Sequence, residues 1–372
     1  MEPINFVDLK KQYSAIESDV NESLSAILKS GQFILGPVVE EAEEALSKYT
    51  NAKHTITVSS GTDALFVSLL ALGIGRGSKV FIPAFTYTAT AEVIALLGAE
   101  PAFVDVDEDT YNISCESLIT KINQYPKSEL SNSAIIAVDL FGLPAEYSTI
   151  CDIAVNYGLY LISDAAQSFG GSIGSQKVGK LSPITTTSFY PTKPLSCYGD
   201  GGAVFTDDDE IAMKIKSIRS HGITDNPYEN VRIGTNARFD AIQAAVILSK
   251  LKIFDGELSR REITSRIYNQ ELKDIVETPI ITNHVNSAWA HYTIRTRDRD
   301  ELREFLTKNS IPTMIYYPKG MHEQTAYQKY HNGDPLIVSE KLCGEVLSLP
   351  LHPYMSEDQV YYVSGKVKEF VG

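Results

Sequence analysis

From residue 54 to residue 164 the chain repeats one unit, a short β-branched or apolar run followed by a polar turn and a helical stretch. HTITVSSGTDALFVSLLALG gives a strand, a Ser-Gly-Thr turn and a helix from about Thr62 to Leu72, and KVFIPAF follows with a helix near Ala89 to Leu97. PAFVDVD and AIIAVDLFG are two more strands, and a helix near Thr149 to Tyr157 leads to the strand LYLISD. Apolar runs without a polar face, alternating with helices, bury themselves best in a largely parallel sheet covered by helices on both sides. The expected fold is therefore α/β, a mostly parallel sheet sandwiched by helices. In such sheets ligands collect beyond the carboxyl ends of the strands. Ser59 to Thr62, Ala84 to Tyr87, Asp139 to Phe141 and Asp164 to Gln167 should thus face one site.

The flanking segments read as helices and a second, smaller unit. Ala15 to Leu28 and Val38 to Tyr49 have helical spacing, the latter with an acidic face, and a loop with Gly31 and Gly36 joins them. After Asn236, FDAIQAAVILSKLKIF is helical, and the charged stretch Asp255 to Arg266 is expected to continue it as one long helix. HYTIRT reads as a strand, DELREFLTKN as a helix, and a last helix follows Ser356. A chain of 372 residues exceeds one ordinary core, so two domains are expected, a large one over residues 1–255 and a small α/β one over residues 256–372.

Charge and cysteine usage exclude several classes of function. There are 33 basic and 47 acidic side chains, a net charge of -14, and no dense basic run, so nucleic acid is repelled over most of the surface. No apolar run reaches the roughly 20 residues needed to cross a bilayer. The opening MEPINFVDLKKQY shows no charged start followed by an apolar core, which leads us to expect no secretory signal and a cytoplasmic location. Cys115, Cys151, Cys197 and Cys343 are scattered without metal-ligand spacing and read as free thiols, so no metal is expected.

The chemistry is concentrated in two places. Asp164 ends the strand LYLISD, and Lys193 stands in TSFYPTKPLSCYGDGGAVFT ahead of Gly199, Gly201 and Gly202. A buried carboxylate, a serine-rich turn and a lone lysine are what a pyridoxal phosphate site requires: a partner for the ring nitrogen, a phosphate contact and an amine that forms a Schiff base. Ser60-Gly61-Thr62 opens a helix whose free N–H groups could hold the phosphate; the other reading is an ordinary helix cap with Asp63 in the first turn. The glycine run leads into the strand AVFTDD, and GIGRG (Gly73 to Gly77) follows a helix instead of a strand, so neither has the context of a nicotinamide-binding loop.

Six ordered segments carry a family resemblance: GTDAL, PAFTYTATAE, DAAQSFG, SFYPTKPLSCYGDGGA, NARFDAIQAA and LSLPLHP. Together they resemble the nucleotide-sugar aminotransferases of the DegT/DnrJ/EryC1/StrS family, which have the fold-type I pyridoxal phosphate architecture. The resemblance implies that Lys193 bonds the cofactor and shuttles the proton, that Asp164 keeps the ring nitrogen protonated, and that Gln167 contacts the ring hydroxyl. It implies a stacking role for Tyr87, phosphate contacts from Ser60, Gly61, Thr62 and Ser188, and a homodimer in which Asn236 reaches the partner's phosphate. Several have a plainer alternative: a helix cap for Asp164, a capping box for Gln167, core packing for Tyr87, an ordinary strand-end hydroxyl for Ser188 and a surface position for Lys193.

The same resemblance places Arg238, His221, Tyr317 and His322 toward the sugar, with Arg238 equally readable as half of a salt bridge. Twenty tyrosines mean that most of them pack the interior, Tyr316 and Tyr317 being the pair at issue here. Lysine at position 193, where some relatives have histidine and dehydrate their substrate, favours transamination. The implied reaction uses L-glutamate, passes through the pyridoxamine phosphate form of the cofactor, and aminates a nucleotide-linked 3-keto sugar. UDP-2-acetamido-2-deoxy-3-oxo-D-glucuronate is the best candidate, as in the WbpE/WlbC-type members. The alternatives are a dTDP-3-keto-6-deoxyhexose, a 4-keto sugar, or a non-catalytic regulatory or binding protein of the same fold.

Overall fold

A computed structural model describes residues 2–372. The amino-terminal half holds α1 (Leu9–Ser30), α2 (Pro37–Thr50), β1 (His54–Val58), α3 (Gly61–Ala71), β2 (Lys79–Pro83), α4 (Thr88–Leu96) and β3 (Glu100–Val104). Then come α5 (Cys115–Ile122), β4 (Ala134–Val138), α6 (Tyr147–Tyr157), β5 (Tyr160–Asp164), β6 (Ser172–Ile173), β7 (Gln176–Lys177), β8 (Ile184–Ser188), β9 (Gly202–Thr206) and α7 (Asp209–Ile218). The remainder is α8 (Ala241–Leu251), α9 (Phe254–Leu272), β10 (Val285–Asn286), β11 (Tyr292–Arg295), α10 (Arg299–Lys308), α11 (Ile337–Glu345), β12 (Val346–Leu349) and α12 (Glu357–Val371).

The main sheet has seven strands in the order β1-β9-β8-β5-β4-β2-β3. The run from β8 to β3 is parallel, and β9 is antiparallel to both of its neighbours. Alternate side chains serve opposite faces, as the two-residue repeat of a strand demands. Val80, Ile82, Ala134, Ile136 and Val204 pack with residues of α3, α4 and α7, whereas Phe81, Ile135 and Ala137 pack with α5 and α6. Ala203 and Phe205 turn to α1, α2 and α8. Both faces are buried, which is why the strands read as unbroken apolar runs.

Helix ends follow local chemistry. Asp8 caps α1 by accepting from the Lys11 N–H at 3.0 Å, so the helix starts at Leu9, six residues before the Ala15 expected from apolar spacing. Ser356 and Gln359 form a capping box on α12, the helix expected after Ser356. The long helix expected from Asn236 through Arg266 is instead two, α8 and α9, separated at Lys252 and Ile253. No glycine or proline marks the break. It arises from tertiary packing: α8 lies against α1 and α2, while α9 turns to pack on α12.

The carboxyl-terminal elements have their own core, built from Ile267, Tyr268, Tyr292, Leu302, Leu306, Leu347 and Val363 among others around the antiparallel pair β11–β12. The Tyr268 and Tyr292 rings lie 4.7 Å apart and both are fully buried. Such a pair contributes about 0.5–1.5 kcal/mol beyond its buried area.

Candidate active site

The strand ends converge on a pocket of about 510 Å³ lined by Ser60, Gly61, Thr62, Tyr87, Asp164, Gln167, Ser188, Lys193 and Tyr317. All nine come from the candidates drawn from the sequence. Val138, Thr86, Tyr190, Met314, Tyr316 and His291 complete much of the remaining wall.

One end is the amino terminus of α3. Ser60 Oγ caps the helix, accepting from the Asp63 N–H at 2.9 Å, so the plain capping role is real for this side chain. The N–H groups of a first helical turn have no acceptor within the helix, and Gly61 and Thr62 supply them at the pocket wall. Position 61 admits only glycine without movement, because a Cβ there would stand 2.6 Å from Ser188 Cβ. That close approach sets the Ser188 hydroxyl beside the helix terminus. Amides, a helix dipole and a hydroxyl meeting in one corner form an anion site.

The other end holds the titratable groups. Asp164 is 8% exposed; its Oδ2 accepts from Thr90 Oγ1 at 3.0 Å and its Oδ1 from the Ala166 N–H at 3.3 Å. Burial pushes this carboxyl above its ordinary value, opposed by those two hydrogen bonds and by the charge on Lys193. Burial pushes the Lys193 amine below its ordinary value, with Asp164 acting in the opposite direction. A depressed lysine has a larger neutral, nucleophilic fraction near pH 7.

Gln167 has a defined orientation. Its Oε1 accepts from the Phe141 N–H at 2.7 Å, which leaves Nε2 toward Tyr317 Oη at 3.4 Å and the pocket. To a ligand, Gln167 is a donor. Tyr87 is 56% exposed and stands 6.2 Å, ring to ring, from Tyr317. Tyr316 packs at 4.5 Å on His291, whose pKa is driven down to about 3 by burial and by the charges of Lys193 and Arg261. His291 is therefore a neutral imidazole at physiological pH.

Four candidates lie elsewhere. Asn236 and Arg238 line a neighbouring pocket of about 590 Å³ with Ser59, Asp63 and Asp240, sharing only Ser60 and Asp200 with the first. Arg238 Nε donates to Asn236 Oδ1 at 3.0 Å. His221 is exposed on a hairpin, its backbone in the left-handed region at φ 61°, and lines neither pocket. His322 is buried away from the site, 3.3 Å from Glu340 Oε1 and beside the rings of Phe103 and His331. The structure does not bring these two histidines to the pocket. Asp139 to Phe141 also depart from the strand-end expectation: only Val138 reaches the pocket, because the chain enters a 3₁₀ turn with Phe141 at φ 58°.

Sequence reasoning missed Thr90 and His291. Thr90 lies in the first turn of α4, inside the quoted PAFTYTATAE, where a hydroxyl facing a strand-end carboxylate could have been inferred. His291 immediately precedes β11 in the carboxyl-terminal region and reaches the pocket only through tertiary packing, with no local signal.

The donor set fits pyridoxal phosphate. An anion corner suits its phosphate, Asp164 its ring nitrogen, the Gln167 amide its ring oxygen, Lys193 its carbonyl and Tyr87 its ring face. Gly61→Ala tests the anion corner. The added methyl must separate α3 from Ser188, and strain of this type costs about 1–3 kcal/mol. Cofactor affinity measured by absorbance titration is expected to fall about tenfold or more, and unchanged affinity would place the phosphate elsewhere.

Fold and pocket together define the class, an α/β aminotransferase of the fold-type I pyridoxal phosphate architecture. Residues 14–368 match the DegT/DnrJ/EryC1/StrS aminotransferase family. The chain is 42% identical to the UDP-2-acetamido-2-deoxy-3-oxo-D-glucuronate aminotransferase of Pseudomonas aeruginosa, over 95% of this chain and 96% of that protein. Its structure is similar to that of a DegT/DnrJ/EryC1/StrS aminotransferase from Brucella abortus, with a TM-score of 0.96, 46% identity and coverage of 99% and 100% of the two chains. It is also similar to DesV of S. venezuelae in complex with a ketimine intermediate, with a TM-score of 0.94, 32% identity and coverage of 100% and 99%. The chain belongs to the DegT/DnrJ/EryC1/StrS aminotransferase family.

Proposed function

We propose that this protein transfers the amino group of L-glutamate to the 3-keto carbon of a nucleotide-linked sugar, with pyridoxal phosphate as cofactor. UDP-2-acetamido-2-deoxy-3-oxo-D-glucuronate is the substrate we assign. The observation that carries the reading is the meeting of Lys193 and Asp164 in one pocket, each shifted by burial and each opposing the other's shift. The relative from Pseudomonas aeruginosa supports the choice of sugar.

Pyridoxal phosphate, when bound, supplies a carbonyl that accepts the travelling amine and a ring that accepts electrons. The chain supplies the rest. The α3 terminus, Thr62 and Ser188 would bind the phosphate, Tyr87 would cover the ring face, and Gln167 Nε2 would donate to the ring oxygen. Asp164 would hold a proton on the ring nitrogen, and Lys193 Nζ, the amine freed near it, would serve as the acid and base of the site. Glutamate leaves as 2-oxoglutarate before the sugar enters, so both half reactions use the same lysine.

A homodimer belongs to the same reading. The hairpin held by the Ser220–Asn236 and Ile223–Asn230 bridges exposes Tyr228, Val231 and Ile233, apolar side chains suited to a second copy of the chain. We place Asn236 of one protomer against the cofactor phosphate of its partner. We assign residues 1–255 to the cofactor-binding domain and residues 256–372 to the small domain, supported by the separate carboxyl-terminal core. A cytoplasmic setting accords with four free cysteines. No helix of the described residues is long and apolar enough to cross a membrane.

The test is a two-step assay. L-Glutamate should bleach the visible band of the cofactor-loaded protein, and the UDP-linked 3-keto uronate should restore it with formation of the amino sugar. Absence of bleaching removes glutamate as donor, and restoration only by dTDP-linked or 4-keto sugars moves the substrate assignment. Arg238→Ala is expected to raise KM for the uronate about tenfold or more, the loss of a charge-assisted contact, while the glutamate half reaction keeps its rate. An unchanged KM would rule Arg238 out as the carboxylate partner.

A further inference from the structure

Beneath the pocket floor lies a second carboxylate that touches none of the space a ligand would fill. Asp139 follows the end of β4, is fully buried, and does not line the pocket. Its Oδ2 accepts from Ser168 Oγ at 2.5 Å, and its Oδ1 accepts from Tyr147 Oη at 2.6 Å and from the Ala145 N–H at 2.9 Å. Its own N–H donates to the Asp164 carbonyl at 3.1 Å.

Those contacts join the two loops on which the pocket chemistry depends. Ser168 belongs to the turn that begins at Asp164 and carries Gln167. Ala145 closes the loop from Asp139, whose Phe141 N–H fixes the Gln167 amide at 2.7 Å. Each end of the Asp164–Gln167 turn is thus tied to residue 139, one by main chain and one by side chain. A carboxylate suits this junction because it accepts several hydrogen bonds without bringing a donor of its own. An asparagine would turn its NH₂ on one of the donors.

We infer that Asp139 is a positioning residue for this site: through Ser168 and Ala145 its side chain holds the Gln167 amide in register with the cofactor without touching it. The inference rests on the pyridoxal phosphate reading of the pocket. Burial raises the Asp139 carboxyl to about 7, against the three hydrogen bonds and with the Asp164 charge adding to the rise.

The test is a double-mutant cycle between Asp139→Ala and Gln167→Ala, read by titrating each purified protein with pyridoxal phosphate and following both affinity and band position. Each single variant is expected to weaken cofactor binding about tenfold and to shift the band in the same sense. The double variant is expected to lose little more than either single one, since both act through the same amide. Asp139→Asn should recover part of the affinity. Fully additive losses, or wild-type affinity and spectrum in Asp139→Ala, would overturn the inference alone. A Gln167→Ala variant with wild-type affinity and spectrum would overturn both the inference and the pocket reading beneath it. Should Asp139→Ala fail to fold, Ser168→Ala cuts the Oδ2 link alone, and the same cycle is run with it.

Discussion

Lys193→Ala is expected to lower amino transfer by about three to four orders of magnitude while leaving a folded protein that still binds pyridoxal phosphate. Both roles assigned to the lysine, covalent partner and proton carrier, vanish together, and a positioned acid–base group alone accounts for about 100- to 10,000-fold. The fold should survive because burial pushes the Lys193 amine down. A base whose pKa is lower in the folded chain binds its proton less tightly there than when unfolded, so below its ordinary 10.5 it detracts from stability. Its removal relieves that cost, although it also takes away the cation facing Asp164. Single-turnover kinetics with glutamate and thermal unfolding of the cofactor-free variant check the two halves of the expectation. A variant that transfers amine within tenfold of wild type would assign the proton to another pocket group, with Tyr317 next in line.

The sequence exposed the sheet because its central strands are buried on both faces and appear as uninterrupted apolar runs; β2, β3, β4 and β5 lie where those runs lie. Asp164 and Lys193 were legible for a related reason: residues at strand ends and in the turns beyond them are placed by the sheet itself. What escaped was decided by contacts distant in the chain. The α8–α9 break carries no glycine or proline, and only the partners of the two helices separate them. His291 enters the site from the region beyond α9, and His322 leaves it for a niche beside Phe103. Asp139 was expected to face the ligand because it ends an apolar run. The left-handed backbone at Phe141 turns the chain away, so its carboxylate serves the neighbouring loops. Arg238 lies beside Asn236 in a separate pocket of the same chain, where no local pattern in the sequence would have set it apart from the first.

Asp164 gives the other large effect, and its pH dependence separates charge from packing. Asp164→Asn is expected to lower kcat about 100- to 1,000-fold, the usual scale for removing one preorganised electrostatic contact. The amide keeps the size of the carboxyl and can still accept from Thr90 Oγ1, but its NH₂ then faces the Ala166 N–H, so the negative charge at the ring nitrogen is lost together with that weaker contact. In the cofactor-free chain that charge is a liability, because burial raises the Asp164 carboxyl above 3.8. An acid with a raised folded pKa holds its proton more tightly in the fold than in the unfolded chain. Its favourable share is therefore present below about 4 and is lost as pH rises toward the folded value; Asp139, raised to about 7, acts in the same direction. Buried His291 and His352, held down at about 3 and about 4, act in the opposite sense over the same range, so the readout is the difference between proteins: relative to Asp164→Asn, cofactor-free wild type should lose stability as pH rises above about 4. Cofactor-free Asp164→Asn should be the more stable of the two at pH 8, despite being the poorer catalyst. Thermal unfolding of both proteins across that range, set beside kcat, decides the matter. A variant less stable at pH 8 would mean that the carboxylate is held in place by the fold for structural reasons, and a kcat within threefold of wild type would remove Asp164 as the ring partner.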